Sequence, residues 1–161
     1  MMKKTIALLV IACSPLVATA VEITPPNMDV GLWVTEVDQS AIIEQALSRV
    51  PESSREMVRG MMEKKMAESA RTEQCITKET LANFDQEMKD TFSEQKDCEL
   101  DVKESTSEKF VAELLCSEAA INIVTKVINS KRNESTLTTN IPGMGETVIT
   151  SVSEWKSAEC P

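Results

Sequence analysis

From residue 97 onward the apolar residues of this chain change their period, from about 3.6 to about 2, and that change constrains the fold more than any other feature. Cys98, Leu100 and Val102 alternate with Glu99, Asp101 and Lys103. Residues 105–109 (STSEK) are turn-like, and Phe110, Ala112, Leu114 and Cys116 then alternate with Val111, Glu113 and Leu115. A hairpin centred on residue 107 puts Leu100 opposite Leu114 and Val102 opposite Ala112, so the apolar faces coincide. The same register sets Cys98 opposite Cys116, and such a pair at a non-hydrogen-bonded site lies within disulfide reach. The expected pairing is Cys98–Cys116, which leaves Cys75 with Cys160.

Three more strands follow at 121–128, 135–141 and 147–155. A turn at 130–133 (SKRN) separates the first two, and a loop of Pro142, Gly143, Met144 and Gly145 precedes the last. The sequon Asn133-Glu134-Ser135 reads as part of that turn. Upstream, 31–37 (GLWVTEV) is β-branched and aromatic and reads as a first strand. Its apolar residues fall on both faces, so it is expected to be central or covered. An extended lead with Pro25 and Pro26 comes before it.

Between the first strand and the hairpin the pattern is helical. Ser40 is placed to cap a helix carrying Ile42, Ile43, Ala46, Leu47 and Val50 at helical spacing. Pro51 interrupts, and a second helix carries Met57, Val58, Met61, Met62 and Met66 as a stripe. The two form either an αα-hairpin or one bent helix. After a short extended Cys75-Ile76, Thr77 caps a third helix with a stripe of Leu81, Phe84, Met88 and Phe92. The fold class is therefore α+β. It is a curved antiparallel meander of about six strands, with a Met-rich two-helix insertion (residues 40–70) after the first and a third helix before the main hairpin.

The N-terminus reads as an export signal. Lys3 and Lys4 precede an apolar run, 5–12 (TIALLVIA), too short to span a bilayer. Ala18-Thr19-Ala20 is a small-x-small cleavage site, giving a signal peptide of residues 1–20 and a mature domain of 21–161. The rival is Val10-Ile11-Ala12-Cys13, which resembles a lipobox and would leave Cys13 lipidated and the protein tethered to a membrane. Either route leaves four cysteines, an even number that suits an oxidising compartment. Their separations of 22, 17 and 43 residues are unlike the close pairs of a zinc site.

Composition narrows function by exclusion. The net charge is −9, and more negative still without Lys3 and Lys4, which disfavours nucleic acid and anionic membrane faces. There is no histidine, which removes Ser-His-Asp and Cys-His chemistry and His-ligated metals. Four glycines, none in a phosphate loop, offer no nucleotide motif. Carboxylates number 26 with lysines among the bases, so a carboxylate-based hydrolase is a remote alternative that no pairing in the sequence singles out.

The residue groups left as candidates are apolar. Met57, Met61, Met62 and Met66 make an adaptable contact surface, as clustered thioethers do. A copper(I) site is disfavoured, since there is no histidine and no Met-x-x-Met repeat continues beyond this helix. Trp33 and Trp155, on the first and last strands, read as core residues closing one against the other, with Trp33 as an alternative pocket wall.

Taken in order, several of these residues resemble a known pattern. Gly31-Leu32-Trp33 opens the first strand, and a Met-rich helix starts at Pro51-Glu52. Cys75-Ile76-Thr77-Lys78-Glu79 follows, where the pattern has a Cys-x-Thr-x-Glu turn. Cys98 and Cys116 lie in a strand pair, and Trp155 stands before Cys160. Over residues 31–160 the chain resembles the bacterial envelope family called domain of unknown function 3617, whose members are richer in Gly, Pro and aromatics in the later strands. The resemblance implies export and a small disulfide-containing domain, and no activity. The expectation is a non-enzymatic, exported periplasmic protein without cofactor or metal that binds an apolar ligand or another envelope protein. The alternative is a structural or stress-related envelope component with no small ligand.

Overall fold

The computed structural model describes residues 22–93, 97–117, 119–141 and 145–161. The expected signal peptide, the Cys13 lipobox and Pro142, Gly143 and Met144 of the expected loop lie outside the described residues. The elements in chain order are β1 (Gly31–Asp38), α1 (Ser40–Leu47), α2 (Glu52–Met66), β2 (Arg71–Ile76), α3 (Lys78–Ala82) and α4 (Phe84–Ser93). They continue with β3 (Cys98–Ser105), β4 (Lys109–Cys116), β5 (Ala120–Asn129), β6 (Arg132–Ile141) and β7 (Gly145–Ser157). All the strands belong to one antiparallel sheet in the order β2-β1-β7-β6-β5-β4-β3. This is the expected α+β meander with one strand more than the six read from sequence.

The additional strand is β2, read from sequence as only Cys75-Ile76. Its residues Arg71 to Cys75 are all exposed, and it sits at the sheet edge against β1. An edge strand held by backbone hydrogen bonds needs no apolar alternation, so periodicity does not reveal it. The hairpin has the expected register, with Cys98↔Cys116, Leu100↔Leu114 and Val102↔Ala112 paired. A bulge at Lys103 then shifts the turn end by one residue, to Glu104↔Val111. Cys116 N–H donates to Ala119 O at 2.9 Å, away from β3. Cys98 and Cys116 therefore form a non-hydrogen-bonded pair, 4.0 Å apart at Cα, and are joined by a disulfide. The second disulfide, Cys75–Cys160, ties β2 to the segment after β7.

α1 and α4 lie against one face of the sheet, and α2 packs on α1. Ile43 and Leu47 of α1 are buried, each burial contributing about 1.5–3 kcal/mol. Gln45 Oε1 accepts from Thr147 Oγ1 of β7 at 2.6 Å. Ser40 is not the cap expected of it: it opens the helix, and its N–H donates to Asp38 Oδ1 at 2.9 Å. The first helix ends at Leu47, short of the Val50 expected in it, and Pro51 takes the N-cap position of the second. Glu44 and Arg59, roughly equidistant from Pro51, pair at 2.7 Å, so the two helices form an αα-hairpin. Thr77 caps the next helix, its Oγ1 accepting from Thr80 N–H at 3.1 Å. That helix is broken at Asn83 into α3 and α4, while its apolar stripe continues across the break.

Both faces of β1 are covered, with Trp33 2% and Val34 3% exposed. Trp33 pairs with Trp155 across β1 and β7. Their indole N–H groups donate to successive carbonyls of the N-terminal lead, Trp33 to Asp29 O at 2.8 Å and Trp155 to Val30 O at 3.0 Å. The lead is thus a strap across one end of the sheet. Asn27 N–H donates to Ser107 O and Asp29 N–H to Ser130 O, both at 2.8 Å, and Ile23 is buried beneath it. Gly31 joins strap to strand at φ +133°, where a side chain is strained. An added Cβ there would overlap the Ser157 carbonyl oxygen and lie 2.8 Å from Trp155 Nε1.

Gly31→Ala is therefore expected to cost at least about 2 kcal/mol, read as a lower urea midpoint with both disulfides intact. The disulfides should differ by loop length. Replacing Cys75 and Cys160 by serine, which opens a separation of 85 residues, is expected to cost about 4–5 kcal/mol. Replacing Cys98 and Cys116, separated by 18, should cost about 3 kcal/mol. Equal losses from the two pairs in urea unfolding would show that loop closure does not set their worth.

Candidate functional site

Between the sheet and α4 lie two adjoining cavities. The larger, about 260 Å³, has a floor of Trp33, Thr35, Gln74, Asn133 and Ser153 from β1, β2, β6 and β7. Its roof is Leu81, Phe84 and Met88. The smaller, about 160 Å³, lies over Phe110, Ile123, Thr125 and Val127 of β4 and β5, beneath Phe84, Met88 and Phe92. Pro26 of the strap, Phe84 and Met88 line both cavities and form the partition. The helix stripe explains this placement. Residues spaced by three and four share one face, and with α4 laid over the sheet that face is the roof.

The two cavities differ in the polar groups they carry. In the smaller, Thr125 Oγ1 bonds Ser135 Oγ at 2.8 Å, and Lys109 Nζ is held by Glu104 at 2.6 Å. Thr106 Oγ1 accepts from Lys109 N–H at 3.0 Å. In the larger, Thr35 and Ser153 share one hydrogen bond of 2.7 Å between their hydroxyls. Asn133 is 7% exposed, and its amide nitrogen donates to the Met28 thioether sulfur at 3.7 Å, a weak acceptor. Among the described lining residues the ionisable side chains are Glu87 in the larger cavity and Lys109 in the smaller. No cluster of three or more potential metal ligands occurs among the described residues. The lining therefore supplies apolar surface and hydrogen-bonding groups, the make-up of a binding pocket.

Of the residues singled out from sequence, Trp33 is both core and cavity floor. The methionines of α2 are elsewhere. Met57 and Met61 are 65% and 58% exposed, whereas Met62 and Met66 are half-buried, and none of the four lines either cavity. The stripe read from sequence is thus divided between two sides of the helix. The disulfides lie outside the two cavities. Asn133 corrects the sequence reading: it is not in the turn but in β6, facing the cavity. Alternation backward from Leu137 through Ser135 would have placed it on the inward face.

Charge is organised on the surface. On the opposite sheet face Arg132 bonds Glu134 at 2.9 Å and Glu154 at 2.8 Å, and Lys156 bonds Glu154 at 2.7 Å. Lys156, then Arg132, hold the Glu154 carboxyl below its ordinary range. Glu44 is lowered likewise by the hydrogen bond and charge of Arg59. A carboxyl lowered by folding adds stability above its unfolded value and loses it as the pH falls through its folded value. Amide exchange in α2, corrected for intrinsic rate, should therefore quicken once the pH falls below the ordinary 4.5 of Glu44. Glu44→Gln should show the faster exchange already at about pH 7, with little further change on acidification. An exchange rate indifferent to the substitution would mean that Arg59 does not tether this helix.

No helix among the described residues is long and apolar enough to cross a membrane. No curated protein and no solved structure matches this chain. Residues 25–160, from within the strap to the second cysteine of the outer disulfide, match the family described as protein of unknown function (DUF3617). With every described strand and both disulfides inside that span, the chain belongs to the DUF3617 family.

Proposed function

We propose that this chain is a non-enzymatic protein of the bacterial envelope that holds an apolar ligand in the two cavities beneath α4. The observation that carries the reading is the adjoining pair itself, partitioned by Pro26, Phe84 and Met88 and walled largely by apolar side chains. Two disulfides fit an oxidising compartment, and the signal-like N-terminus fits export. A second reading rests on α2. Met57 and Met61 stand out to solvent, and an adaptable apolar surface of this kind suits another envelope protein.

A neutral, environment-sensitive dye such as N-phenylnaphthylamine separates the two. The wild-type chain should bind it saturably with enhanced emission. Met88→Trp, which fills the partition, should weaken binding by at least about tenfold, equivalent to about 1.4 kcal/mol. Ile123→Phe, a milder filling of the smaller cavity, serves if the tryptophan variant fails to fold. Met57→Ser with Met61→Ser should leave dye binding unchanged. Dye binding that ignores the cavity variants but is lost in the α2 variant would transfer the reading to the helix. Absence of saturable binding would favour a structural envelope component.

A further inference from the structure

The two cavities are unlike in one respect that specifies a ligand. In the smaller, the polar lining is limited to Thr24, Thr106, Lys109 and Thr125. Thr125 shares one hydrogen bond with Ser135, Thr106 bonds the Lys109 backbone, and Lys109 bonds Glu104. What remains is apolar wall: Phe110, Ile123, Val127 and Phe92. The larger cavity is richer in uncharged hydrogen-bonding side chains, with Thr35, Gln74, Thr80, Thr91, Asn133 and Ser153 around it. The side chain of Asn133 is more than nine-tenths buried, and the Met28 sulfur is the weak acceptor of its amide nitrogen. Its carbonyl oxygen has no hydrogen bond among the described residues, and the residue lines the cavity. An amide that faces a cavity with so weak a partner is available to bond a guest there. Beside it, Thr35 and Ser153 share a single hydrogen bond, so one of their two O–H groups is still free to donate.

We propose, building on the reading above, that the ligand is a single-chain lipid with an uncharged, hydroxyl-bearing head, of the monoacylglycerol type. Its acyl chain lies in the smaller cavity, and its head bonds Asn133 and the Thr35–Ser153 pair in the larger. Charge rules against an anionic head. The ionisable side chain lining the larger cavity among the described residues is Glu87, so a carboxylate or phosphate there meets like charge and no cation. The chain passes between the cavities at Met88, whose unbranched side chain is the most adaptable part of the partition.

The test is competition against N-phenylnaphthylamine with monolauroylglycerol, laurate and laurylamine, each kept below its micelle concentration. At about pH 8, where laurate is ionised, monolauroylglycerol should displace the dye at least about tenfold more tightly than laurate. Asn133→Leu, which keeps volume and removes the amide, should weaken monolauroylglycerol by about tenfold while the dye binds as before. Ser153→Ala gives the same comparison if the leucine variant does not fold. Laurate or laurylamine binding as well as the glyceride would overturn the neutral head. An equal loss of dye and glyceride in Asn133→Leu would show that the residue only shapes the cavity, and would overturn the placement of the head. If dye binds and no lipid displaces it, the lipid class is wrong while the apolar-ligand reading stands. If neither dye nor lipid binds, that reading fails as well.

Discussion

The architecture hangs on two indole N–H groups. Trp33 and Trp155 face each other across β1 and β7, and each reaches back to a carbonyl of the strap, at Asp29 and Val30. These bonds lay residues 22–30 along the end of the sheet instead of letting them trail into solvent. The strap then donates to the turns between β3 and β4 and between β5 and β6, so it ties the start of β1 to two neighbouring hairpins on the far side of β7. It also brings Pro26 and Met28 to the cavities. Gly31 is the geometric condition of the arrangement, because strap, β1 and the end of β7 meet where a methyl group has no room. With aromatics only 3% of the chain, both tryptophans are committed to this one junction.

The parts of the fold readable in the sequence are those in which one face is buried and the other is wet. The β3–β4 register follows from alternation, because a slip of one residue would turn Leu100, Val102, Ala112 and Leu114 outward. The pairing of Cys98 with Cys116 follows from that register. Pro51 and Thr77 announce helix boundaries through local chemistry that tertiary packing leaves intact. The edge strand β2 is silent because its backbone pairs while its side chains stay in solvent. Asn83 interrupts the third helix without disturbing the stripe of Phe84, Met88 and Phe92, so the break has no signature in the pattern.

The candidate site is less legible for a related reason. The stripe on α4 and the methionines of α2 look alike in one dimension, since both are apolar residues at helical spacing. They part company in space. One helix lies against the sheet and its stripe becomes a roof, whereas the other packs on α1, leaving Met57 and Met61 outside. Asn133 is hidden by its neighbours in sequence, because Ser130, Lys131 and Arg132 extend the turn signal up to it. Its burial depends on strands contributed by both ends of the chain.

The connectivity of the two disulfides bears on how the molecule matures. Cys98–Cys116 is nested inside Cys75–Cys160. For a chain delivered N-terminus first across a membrane, Cys75 emerges alone, and the next thiol to arrive is Cys98, its wrong partner. Premature oxidation would trap that pair, and recovery would require thiol–disulfide exchange by a thiolate from outside or from Cys116. Closing the β3–β4 hairpin before the final strand arrives would protect against this outcome, because it would occupy Cys98 with Cys116. The correct outer bond must wait for Cys160, so its closure records that β7 has been added and the sheet is complete.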